Sequence, residues 1–168
     1  AYDLIFHGGM DPVESNAAYR ASLAKRKYPD ATIVAMVRAT DMVIEEGEGV
    51  AAAVEAAGKA EGLDLTQLNL AQMGLILWDV DMRARRIQRR KFLLAFADMP
   101  VHFFGKYPPE FARRFSRASF HGGKTFREIV GIMGDAKISL CETINWRDHA
   151  HLRLTYAIPH GCLVAAEK

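Results

Sequence analysis

Cysteine is scarce, occurring only as Cys141 and Cys162, so the disulfide framework that staples small secreted domains is excluded. Each of the two lies in an apolar, strand-like run, where a free thiol behaves as a small hydrophobe, and that reading is favoured over a bridge. No apolar stretch approaches the ~18 residues needed to span a bilayer. The opening Ala-Tyr-Asp-Leu-Ile-Phe lacks the basic lead of a signal peptide, and the chain is expected to be cytoplasmic. Charge of one sign is also missing: a formal net charge of +2 gives no bulk argument for nucleic acid or an anionic membrane. Internal repeats and low-complexity linkers are absent. The glycines have the spacing of neither a Walker loop nor a dinucleotide fingerprint. What is left is a 168-residue chain of ordinary globular composition, long enough to bury a sizeable core.

The most organised part is its second half, residues 101–167. Four short apolar runs, Val101-His-Phe-Phe, Ala118-Ser-Phe, Lys137-Ile-Ser-Leu-Cys and Cys162-Leu-Val-Ala-Ala, are separated by segments that read as helix or polar loop. That alternation predicts an α/β fold with parallel strands, and Phe103, Phe120, Ile138, Leu140 and Val164 are the expected core. In such a sheet the loops leaving the strand carboxyl ends gather on one edge, where open α/β sheets bind ligands. Those loops are residues 105–109, 121–124 and 142–148, and they hold Lys106, His121, Gly122, Gly123, Lys124, Glu142, Thr143, Asn145, Arg147 and Asp148.

The first half reads as mainly helical, giving an expected division into a helical region, 1–98, and an α/β region, 99–168. Tyr2-Asp-Leu-Ile-Phe, closed by Gly8-Gly9, suits either a strand or the end of another element. Asp11-Pro12 is a helix opening, with residues 13–27 following unbroken to Pro29. Residues 31–46 fit both a strand and a helical stripe, and their length without a turn signal favours helix. Residues 50–61 are an alanine-rich helix ending at Gly62. A long helix over residues 70–97 places Leu77, Val80, Ala84, Ile87 and Leu94 on one stripe and Arg85, Arg86, Arg89 and Arg90 largely on another. Asp79, Asp81 and Asp98 bracket these arginines and no aromatic platform is interleaved, so a solvated face is favoured over a nucleic-acid helix.

Thr125-Phe-Arg-Glu128 has the form of a capping box, placing a helix amino terminus just after His121-Gly-Gly-Lys. Exposed amides there suit an anion, although the glycines suit a plain tight turn equally well. His149 and His151, two apart, point to nearly opposite sides of a helix, so no metal site is expected. Asp148 is a natural N-cap for a helix over residues 149–158. Arg153, just over a turn inside it, can reach a phosphate or join a surface ion pair.

The order Val101-His-Phe-Phe-Gly-Lys, Phe120-His-Gly, Asp135-Ala-Lys-Ile-Ser-Leu, Asp148-His-Ala-His-Leu-Arg-Leu and His160-Gly-Cys-Leu-Val resembles the carboxyl-terminal half of a bacterial glycosyltransferase. The family has two facing Rossmann-like domains, the GT-B arrangement, in the branch of spore-protein-like and glycan-modifying transferases. The resemblance spans residues 78–167. It implies a donor-side domain that takes a nucleotide-sugar as substrate, with no metal and no further cofactor. The implied donor-binding residues are Gly105, Lys106, His121, Gly122, Gly123, Lys124, Glu142, Asn145, Asp148, His149, Arg153 and Tyr156. It further implies a partner Rossmann-like domain, lying ahead of this one in the full-length protein and supplying the catalytic base. It also implies more sheet and a closing helix after residue 168, so the chain is expected to be a fragment. At one position it departs: the family carries a ribose-binding Glu where Tyr156 stands, ahead of Ala157 and Gly161, and a phenol cannot make the bidentate carboxylate contact. Pro159 also shortens the helix relative to that pattern. Two alternatives therefore remain, a non-catalytic α/β module binding a nucleotide or a protein, and a helical scaffold whose α/β part is only structural.

Overall fold

The structure is a computed structural model, and it describes residues 1–142 and 152–166, the side chains of residues 152–154 apart. The expected roles of Thr143, Asn145, Arg147, Asp148, His149 and His151, and the cap at Asp148, fall outside the described residues. The chain divides into two compact units, residues 1–12 with 89–168, and residues 13–88.

The first unit is α/β. Its strands are β1 (Tyr2–His7), β2 (Val101–Phe104), β3 (Ser119–Phe120), β4 (Ala136–Cys141) and β5 (Leu163–Ala166), all pairing parallel in the order β3-β2-β1-β4-β5. The segment left undecided in sequence, Tyr2–His7, is thus the middle strand. It belongs to the sheet and not to the helical stretch that follows it. Its register sets Ile5 opposite His102 of β2 and Ser139 of β4. Leu4, Ile5 and Phe6 are all buried because both faces of a central parallel strand are covered, which is why the run shows no alternation.

One face of the sheet packs Leu4, Phe6, Val101, Phe103 and Leu140 against Leu93, Phe111 and Phe115. Here the end of α4 (Leu70–Leu94) and α5 (Pro109–Ala112) contribute. The other face packs Ile5, Phe104 and Ala136 against Ile129 and Met133 of α6 (Phe126–Gly134) and Ala157 of α7 (Leu152–Ala157). Of the expected core, Phe103 and Leu140 are fully buried, whereas Ile138 and Val164 are half-buried. Phe120 is corrected: β3 is a two-residue edge strand, and the Phe120 ring is 36% exposed while stacking on Phe103 at 4.9 Å. Cys141 and Cys162 are buried free thiols, and burial pushes the Cys162 thiol up.

The second unit is helical. Its first helix, α1 (Asn16–Lys25), begins later than the expected Asp11-Pro12 opening, because Ser15 takes the N-cap and accepts from the Ala18 amide at 3.2 Å. The ambiguous segment is helical: α2 (Asp30–Asp41) buries Ile33, Met36, Val37 and Thr40, then widens into a π turn, Met42–Glu46, closed by left-handed Gly47. The alanine-rich α3 (Val50–Ala60) and the first turns of α4 complete a core of Leu23, Met36, Val43, Ala57, Val80 and Ala84.

The basic face of α4 is not simply solvated. Arg83 is 7% exposed, its guanidinium 4.0 Å from the Tyr19 ring centre and 2.5 Å from Asn16 Oδ1. Cation–π attraction and a polar partner together make burying this charge tolerable. Arg85 does pair at the surface, 2.7 Å from Asp81.

Candidate functional site

From β1 the chain reaches β2 and β3 on one side, then crosses back to β4 on the other. The topological switch point therefore lies between the carboxyl ends of β1 and β4, where ligands bind in open α/β sheets. Three strand-end segments meet at or beside it: Gly8-Gly9 after β1, Gly105-Lys106-Tyr107 after β2, and Glu142 after β4.

The first two are joined backbone to backbone. The Gly8 amide donates to Phe104 O and the Met10 amide to Lys106 O, both at 2.9 Å, and the Tyr107 hydroxyl donates to Gly8 O. The approach is so close that a Cβ on Gly105 would collide with the Gly8 carbonyl. Both Gly9 and Lys106 remain exposed. Glycine at Gly8, Gly9 and Gly105 keeps side chains out of this edge and lets the two loops run in close contact.

Glu142 is 3% exposed and pairs with Arg89 Nη2 at 2.6 Å, while Arg89 Nη1 donates to Gly9 O at 2.7 Å. A buried carboxylate is tolerated only when paired, and Arg89 meets that need while tying the β4 end to the β1 loop. Composition alone did not single out Arg89, Gly8, Gly9 or Tyr107. The signal was present in Gly8-Gly9 closing an apolar run, and it gains meaning once that run is a strand.

The loop after β3 carries His121, Gly122, Gly123 and Lys124, all exposed, with Gly122 at φ +71°. The expected capping box forms: the Glu128 amide donates to Thr125 Oγ1 at 3.3 Å, and the Thr125 amide donates to Glu128 Oε2 at 2.8 Å. The Thr125 amide first, then the Thr125 hydroxyl and Lys124, lower the Glu128 carboxyl to about 2. Lys124 Nζ stands 3.3 Å from Glu128 Oε1. An anion at this helix start would therefore compete with Glu128 for its donors. Tyr156, 37% exposed, sets its ring edge-on to Phe126 at 4.9 Å. Arg153 lies in α7 by its backbone.

The site thus brings together Gly105, Lys106 and Glu142 with Gly8, Gly9 and Arg89; His121–Lys124 forms a second group after the neighbouring edge strand. Among the described residues no group of three or more His, Cys, Asp or Glu is placed to hold a metal ion. No helix among them is long and apolar enough to cross a membrane. No family model, curated protein or solved structure matches the chain.

Proposed function

We propose that this chain is the donor-side part of a glycosyltransferase of the two-domain GT-B kind, binding a nucleotide-sugar at the carboxyl edge of its parallel sheet. The observation that carries the reading is the switch point between β1 and β4, edged by Gly8, Gly9 and Gly105 and fixed by the Arg89–Glu142 pair. The order of motifs from Val101 to Val164 supports it independently.

In the proposed reaction the bond between the sugar's anomeric carbon and the diphosphate breaks, and an acceptor oxygen bonds to that carbon. The acceptor proton passes to a base on the partner domain. The diphosphate leaves with the bonding electrons, and donors aimed at that developing charge are a large catalytic term. Lys106 and Arg153 are the cations assigned to it here; Lys124 joins them only when released by Glu128.

One observation favours a second reading, a module that binds a nucleotide without transferring sugar. The position where the family has a ribose-binding carboxylate holds Tyr156, whose ring rests on Phe126. Titration calorimetry with uridine, guanosine, adenosine and thymidine diphosphates, each with and without an attached sugar, tests both. Saturable binding of one nucleotide series supports a nucleotide site, and tighter binding of the sugar-bearing form supports the transferase. Absence of binding across the panel would overturn both readings.

A further inference from the structure

The edge strand β3 pairs through two residues only, with His102 opposite Ser119 and Phe103 opposite Phe120, and the Phe120 ring stacks on Phe103. What reinforces it lies one residue further on. The His121 amide donates to Phe103 O at 2.9 Å, and the His121 ring stacks on Phe104 at 4.7 Å. Its Nε2 is 2.9 Å from Nδ1 of His102, a diagonal neighbour across the two strands. The His102 and His121 ring centres are 5.2 Å apart and the planes only 17° from parallel. That separation is about the N···N distance plus the two ring radii, the largest it can be, so the rings meet edge to edge with the nitrogens facing one another. At 2.9 Å the facing nitrogens are too close to hold a metal ion between them, which needs about 2 Å to each, and they fit a single N–H···N hydrogen bond. The Tyr2 ring closes the group, edge-on to His102 at 4.9 Å and to His121 at 6.3 Å.

We propose that His102 and His121 share one proton and so latch β3, with the 121–124 loop it carries, to the sheet at neutral pH, and release them in mildly acid solution. A neutral imidazole has one donor and one acceptor nitrogen, so the pair holds while one of the facing nitrogens is bare. A further proton on that bare nitrogen turns the acceptor into a donor, so two N–H groups, one of them on a positive ring, oppose one another edge to edge. The His121 pKa is lowered from its ordinary 6.5, first by desolvation and then by His102 and Lys124. The docked state therefore binds fewer protons than the released one. Docking is strongest above pH 6.5 and weakens as pH falls through that value. The charged groups facing the pair do not reverse this sign. Asp3 of β1, which His102 influences, is held by Lys137 of β4 at 2.6 Å and also feels the Ala1 amino group. Lys124, on the loop itself, is held by Glu128 of α6. Both carboxylates are thus already engaged by lysines.

The device would make loop placement at the candidate site depend on pH whichever ligand binds there, so it stands or falls apart from the transferase reading. Amide hydrogen exchange of the whole chain at pH 7.5 and 5.5, corrected for intrinsic rates, tests it at Phe120, His121 and Gly122. A roughly two- to fivefold loss of protection at the lower pH is expected, the factor that one cross-strand pair carries, with β1 unchanged. His121→Gln keeps an amide to bond His102 and does not titrate, so its protection should be the same at both pH values. Equal protection at both pH values in the wild type, or an undiminished loss in His121→Gln, would overturn the proposal. Long-range proton–nitrogen NMR at pH 7.5 needs no variant: one of the facing nitrogens should be protonated and the other bare, and finding both protonated or both bare would also overturn it.

Discussion

Arg89 ties the ends of two neighbouring strands together, with Nη1 2.7 Å from Gly9 O beyond β1 and Nη2 2.6 Å from Glu142 Oε1 beyond β4. Because Glu142 is 3% exposed, removing Arg89 leaves a buried carboxylate without this partner. Arg89→Met is expected to cost about 3 kcal/mol, the range for breaking a buried pair. Adding Glu142→Gln should restore much of it. Urea denaturation of the single and double variants checks this, and additive losses would contradict the coupling.

Gly105 and Gly123 are both loop glycines on the carboxyl edge but differ in surroundings. A Cβ at Gly105 meets the Gly8 carbonyl, whereas one at Gly123 meets nothing within 4 Å. Gly105→Ala should destabilise the protein by about 2 kcal/mol or more, and Gly123→Ala should stay within about 0.5 kcal/mol. Thermal melts of the two variants compare them directly.

The parallel sheet and two of its loops, after β2 and β3, were legible because strand-length apolar runs alternated with helix signals. The middle strand was not. Ending in Gly8-Gly9 with no second run near in sequence, Tyr2–His7 finds its partners Val101–Phe104 and Ala136–Cys141 only through long-range contact. Arg89 and Arg83 were hidden for a related reason. In a run of arginines nothing local distinguishes the one that reaches Gly9, or the one stacked on Tyr19, from those that pair at the surface. Phe120 misled because a large aromatic reads as core, while a two-residue edge strand covers it on one side only. The capping box at Thr125 was readable in full, since both its partners lie within four residues.

That box carries a pH signature. The Glu128 carboxyl is lowered from 4.5 to about 2, so its contribution is complete above pH 4.5 and is lost as pH falls toward 2. Glu128→Gln should melt below wild type at neutral pH and converge with it near pH 2. Thr125→Ala, which removes the N-cap, should cost about 1 kcal/mol.

The helical unit responds at the other end of the scale. Burial, with help from Asp79, raises the Tyr19 phenol from 10.0 to about 12, against the opposing pull of Arg83 and Arg26. The folded state therefore retains a proton that the unfolded state loses, and stability falls as pH rises from 10 toward 12. Ultraviolet titration should show a late step from Tyr19, beside the smaller upward shift that burial gives Tyr28, and Tyr19→Phe should remove the late step along with part of the alkaline loss of stability.

The proposed function puts a nucleotide diphosphate at the carboxyl edge with Arg153 as one of its cations, and leaves Arg86 of α4 outside the site. Calorimetry of Arg153→Ala and Arg86→Ala against wild type, with whichever nucleoside diphosphate binds best, tests it most directly. A charge-assisted hydrogen bond contributes about 1.5 to 3 kcal/mol, so Arg153→Ala should weaken binding roughly tenfold to hundredfold while Arg86→Ala leaves it nearly unchanged. Equal losses in the two variants, or a loss confined to Arg86→Ala, would contradict this and move the site to the Arg86 side of α4.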